Sequence, residues 1–97
     1  MSYMANFEKL YEKLGRMAVS ANTTCQDITG LLQKMGFQIE DCGSAGHKIA
    51  KHPAISLIEY PDFNCGHNPG TAVRRQYVSK LFKFVAEHRT VIEEYLK

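Results

Sequence analysis

A chain of 97 residues, 44% hydrophobic and 23% charged, is long enough for one hydrophobic core and too short for two. No apolar run approaches the roughly 18 residues that cross a bilayer, which excludes a membrane span, and the N-terminal stretch has an acidic residue and lacks the apolar region of a secretory signal, which predicts a cytoplasmic protein. The net charge of +2 is uneven: residues 1–45 carry four Lys/Arg against five Asp/Glu, whereas residues 46–97 carry eight against five, so any polyanion site is expected in the second half.

From Met4 to Ala18 the residues Met4, Phe7, Leu10, Tyr11, Leu14 and Met17 recur at steps of three and four, the period of one helical face. A polar connector, Ser20 to Thr24, follows. Thr24 and Asp27 have capping-box spacing ahead of a second helical stripe, Ile28, Leu31, Leu32 and Met35, which Gly36 is expected to end. Phe37 to Cys42 alternates as a strand with Phe37 and Ile39 turned inward. The glycines Gly43 and Gly46 then predict a turn into a second strand carrying His47, Lys48, Ile49 and Ala50, closed by His52-Pro53.

The most hydrophobic stretch, Ala54 to Tyr60, predicts a third strand of an antiparallel meander. Pro61 to Gly70 has loop composition. Helix is expected again from Thr71, with Val73, Tyr77, Val78, Leu81, Phe82, Phe84 and Val85 on its apolar side and Arg75, Ser79 and Lys83 opposite. Thr90 and Glu93 repeat the capping-box spacing before a last short helix. The expected fold class is α+β, a small sheet with helices on one face and the other face open. Alternation puts His47 and Ile49 on one face, opposite Lys48 and Ala50, so a buried Ile49 would deny His47 access.

The three cysteines, Cys25, Cys42 and Cys65, are odd in number and widely spaced, which predicts reduced thiols rather than a disulfide framework. Cys42, His47, His52, Cys65 and His67 are near in sequence, but only Cys65-x-His67 approaches the tight ligand spacing of a zinc site, so packing and loop roles are expected instead.

Gly36-Phe37, Ala45-Gly46-His47, Lys51-His52-Pro53, Tyr60-Pro61 and Pro69-Gly70-Thr71 stand in the order and at the spacing of the HicA family of bacterial toxins, which this chain resembles over roughly residues 24–85. The resemblance implies a double-stranded-RNA-binding-domain-like α-β-β-β-α core at residues 24–88 of a single domain, with helical extensions at 1–23 and 89–97. Those extensions are expected to pack on each other, on the core, or on a second copy in a homodimer.

The resemblance further implies a metal-independent mRNA interferase, without cofactor, neutralised by a cognate antitoxin protein. His47 would be the catalytic residue, because cleavage needs a base of near-neutral pKa to take the ribose 2′-hydroxyl proton. Lys48, Lys51, Arg74 and Arg75 would offset phosphoryl charge, and Gly70 and Thr71 at the helix mouth would offer N–H groups to RNA phosphate. His52 and His67 are the choices for a second proton-transfer group. The alternative is a non-catalytic RNA-binding or protein-interaction module of the same fold.

Overall fold

The computed structural model describes residues 3–43, 46–57, 59–66 and 70–97. Ser44 and Ala45 of the expected turn, Ile58, and His67 and Pro69 of the motifs lie outside them. The elements run α1 (Tyr3–Ala18), α2 (Cys25–Lys34), β1 (Gln38–Asp41), β2 (His47–Lys51), β3 (Asp62–Asn64), α3 (Arg75–Glu87) and α4 (Arg89–Tyr95). The class is α+β: four helices and one three-stranded antiparallel sheet of order β1-β2-β3.

Local chemistry sets the helix ends where the pattern expects them around α2. Thr24 accepts from the Asp27 amide at 3.1 Å and the Asp27 carboxylate accepts from the Thr24 amide at 3.3 Å, a complete capping box. At the other end Gly36 takes φ +97°, its N–H reaches Gln33 and the N–H of Phe37 reaches Leu32, which is a Schellman stop. A Cβ at Gly36 would lie 2.6 Å from the Tyr95 ring, so packing as well as backbone shape requires glycine. No such box forms at Thr90, because α4 already starts at Arg89 and Glu93 pairs with Arg89.

The sheet register places Ile39, Lys48, Ala50 and Phe63 on one face and Gln38, Glu40, His47, Ile49, Lys51 and Asp62 on the other. The first face meets the core: Ala50 and Phe63 are fully buried with Leu32, Met35 and Phe37. Burying Phe63 alone contributes roughly 1.5–3 kcal/mol, enough to fix a three-residue strand. The third strand is therefore Asp62–Asn64 and not Ala54 to Tyr60. The hydrophobic run is instead an arch: Ile55 drops into the core and donates to the His52 carbonyl, while the Tyr60 hydroxyl donates to the Ile55 carbonyl and accepts from the Leu57 amide.

The helix expected from Thr71 begins at Arg75. Residues 71–73 run extended along the start of α2, with Cys25 donating to Thr71, Val73 donating to Thr23, and Thr24 bridging Ala72. This brings residues 25 and 65 together, and Cys25 and Cys65 form a disulfide with Cα atoms 5.1 Å apart. The expectation of three reduced thiols is overturned. Cys42 is the free cysteine. Among the described residues no helix is long and apolar enough to cross a membrane.

The terminal helices pack on each other and on α3. Tyr11 stacks on Phe82 at 4.9 Å, Gly15 faces the same ring, and Arg89 lies over Phe7 and Tyr11 while pairing with Glu8. The Arg89 charge is thus held at the edge of the core by aromatic faces and a carboxylate.

Candidate active site

The open face of the sheet carries an imidazole. His47 opens β2, and Gly46 before it takes φ +84° where a Cβ would collide with the backbone of Gly66, so glycine lets the two segments touch. The N–H of Cys65 donates to the Gly46 carbonyl and the N–H of Cys42 to the His47 carbonyl at 2.8 Å, fixing the backbone on both sides. Ile49 is half-buried and faces away from the core, so His47 keeps its access.

Asp62, at the start of β3, sits diagonally across from His47. Its Oδ2 lies 2.7 Å from His47 Nε2, and its Oδ1 accepts from Lys80 Nζ of α3 at 2.7 Å. Lys80 first, and His47 second, hold the Asp62 carboxyl below its usual 3.8 through these hydrogen bonds, against the opposing effect of burial. An ionised carboxylate only accepts, so Nε2 carries the proton and donates, leaving Nδ1 as the free nitrogen lone pair. The two side chains are 33% and 35% exposed. Pairs so wet add only ~0–1 kcal/mol of stability each. Their effect is to fix the ring's tautomer and direction, the part that a carboxylate plays behind a catalytic histidine.

These groups line an open cleft of about 800 Å³ between β2, the start of β3 and the outer stripe of α3. Ile49, Tyr60, Pro61 and Phe84 form its apolar wall; Lys51, Lys80 and Lys83 bring positive charge and Glu59 and Glu87 negative. Lys51 pairs with Glu40 at 3.0 Å, whereas Lys83 pairs with none of the described residues.

The other expected site residues divide. Lys51 shares the cleft with His47. Lys48 lies on the opposite face and pairs with Asp41. Arg74 and Arg75 line a separate hollow with Ala21, Ala72 and Gln76. Thr71 opens the extended segment, and Gly70 and Thr71 stand four residues or more ahead of the helix, so the expected helix mouth does not form there. His52 is 1% exposed behind the sheet, its Nε2–H donating to the Met35 carbonyl at 3.0 Å and its Nδ1 accepting from the Ala54 amide; burial pushes its pKa down. It is a core histidine and no proton donor to the cleft. His67 lies outside the described residues.

Cys65 is spent in the disulfide, and among the described residues no group of three His, Cys, Asp or Glu side chains gathers as a metal would require. Asp62 and Phe84 are residues that sequence reasoning missed, whereas Lys80 and Lys83 read from sequence as either a solvated helix face or an RNA- or partner-binding surface. Asp62 sat inside apparent loop, and the signal available for Phe84 was its spacing with Lys80, Lys83 and Glu87 at i, i+3, i+4 and i+7. Comparison of the chain with protein-family models, curated proteins and solved structures finds no match.

Proposed function

We propose that the cleft beside His47 is the active centre of a metal-independent endoribonuclease of the HicA toxin kind, on a double-stranded-RNA-binding-domain-like fold, silenced by an antitoxin that covers this face. The observation that carries the reading is the chain His47, Asp62, Lys80: a reachable imidazole whose tautomer a carboxylate fixes, with a lysine behind it. Nδ1 takes the proton of a ribose 2′-hydroxyl, the 2′-oxygen attacks the adjacent phosphorus, and the bond to the 5′-oxygen breaks. That oxygen takes a proton from solvent in the open cleft, leaving a 2′,3′-cyclic phosphate and a 5′-hydroxyl. Asp62 stabilises the imidazolium as it forms, and Lys83 offsets charge on the phosphoryl oxygens.

The test is purified protein incubated with RNA in the presence of a chelator. Cleavage leaving cyclic phosphate ends is expected, with a ~10²–10⁴-fold loss in His47→Ala, the usual contribution of a positioned base. Growth arrest on expression without a partner, relieved by His47→Ala, is expected alongside. Cleavage that survives the substitution, or that the chelator abolishes, sinks the proposal. A second reading, a non-catalytic module, is favoured by one feature: Glu59, Glu87 and Asp62 balance the three lysines of the cleft. It predicts RNA or protein binding with no cleavage by the wild type.

A further inference from the structure

The balanced charge of the cleft has an order to it. Along β2, His47, Ile49 and Lys51 span ~13 Å, and along α3, Lys80 to Glu87 span ~10 Å. The two run the same way. Lys80 meets Asp62 near His47, whereas Phe84 approaches Phe37 at 6.2 Å, next to Gln38, which pairs with Lys51. Ala50 donates to Pro61, so Tyr60 and Glu59 also lie at the Lys51 end. From one end to the other the cleft therefore presents the reactive dyad with Lys80, an apolar wall, and two carboxylates beside Lys51, whose charge is already paired with Glu40.

That order matches one nucleotide laid lengthwise, phosphate at His47 and base at the far end. The wall is fixed in advance, since the Tyr60 hydroxyl is turned to Ile55 and Leu57 and leaves its ring in the cleft. A second phosphate at that far end would face two carboxylates, neither of which has a partner among the described residues. Carboxylates accept only, so they match a base edge made of donors. Guanine offers N1–H and the 2-amino group side by side; adenine and cytosine set one amino group beside an acceptor, and uracil sets one N–H between two carbonyls.

We propose that the Glu59 and Glu87 end of the cleft is a guanine subsite, which takes the base unstacked from single-stranded RNA against Tyr60 and Phe84. It rests on the nuclease reading for its substrate class. The test is equilibrium binding of the four nucleoside 3′-monophosphates to the wild type and to His47→Ala, followed by NMR, with Glu59→Gln and Glu87→Gln beside them. The guanine nucleotide is expected to bind at least ~10-fold tighter than the others, the discrimination that one bidentate pair supplies. That preference is expected to survive His47→Ala and to vanish in the glutamine variants while uridine binding stays unchanged.

Equal binding of all four, or a guanine preference that persists in both glutamine variants, overturns the subsite. Both glutamates are exposed, so the variants fold, and unchanged amide spectra verify it. Because binding needs no turnover, selective guanine binding without RNA cleavage would overturn the nuclease reading and keep the subsite, and cleavage indifferent to guanine would do the reverse.

Discussion

Replacing Cys25 and Cys65 together by alanine removes a cross-link whose partners are 40 residues apart. In the chain-entropy account the closed loop costs the unfolded ensemble ~13 cal/mol/K, or about 4 kcal/mol at 25 °C. A domain of this size has a total stability of only ~5–15 kcal/mol, so the variant is expected to keep its fold with a greatly reduced margin. Urea denaturation reads the change directly. The oxidised wild type is expected to unfold at a markedly higher midpoint than the variant, with reductant bringing the wild type down to the variant's curve and steepening its slope as the unfolded chain expands. Thiol titration of the denatured, unreduced chain is expected to find one reactive group, Cys42. Three thiols, or a midpoint indifferent to reductant, would refute the reasoning. The site feels the same bond: Cys65 directly follows β3 and donates to Gly46, so both residues of the dyad hang from the segments it ties.

Gly46→Ala is expected to cost at least ~1–3 kcal/mol, because its positive φ and the contact with Gly66 both refuse a Cβ; an unchanged melting temperature would dismiss the close approach. His52, buried and uncharged, predicts a pH effect. Its pKa is lowered from 6.5 in the folded chain, so the unfolded chain takes up a proton first and the stability present above pH 6.5 is lost as pH falls below it. His52→Gln, which can still donate to Met35 and accept from Ala54, is expected to flatten that part of the stability-against-pH curve relative to wild type. Identical slopes would show that His52 does not set it.

What the sequence made legible is what neighbouring residues decide. The Thr24–Asp27 box and the Gly36 stop involve atoms three to five residues apart, and alternation alone put His47 on the face away from Ala50. Composition misled where burial competes with pairing. Ala54 to Tyr60 is apolar enough for a strand, yet β2 needs a partner that sets Phe63 inward, and three residues of apparent loop meet that need. Long-range pairs left no local trace: Asp62 is 15 residues from His47 and 18 from Lys80, and nothing in the spacing of Cys25 and Cys65 marks them as partners. The stripe on α3 was readable as a stripe, but its target depends on how the helix is turned about its axis by packing on α1.

Arg89 clasping Glu8 and resting over Phe7 and Tyr11 also gives the molecule a timetable. Translation delivers α1 well before the helices that cover it: Phe82 meets Tyr11 and Arg89 meets Glu8 across at least 70 residues of intervening chain. Until α3 and α4 follow, a growing polypeptide carries the Tyr11 side of α1 with only α2 to pack on it. The cleft draws Lys80 and Phe84 from α3 as well, so the site is complete only once the helix that covers α1 has been made.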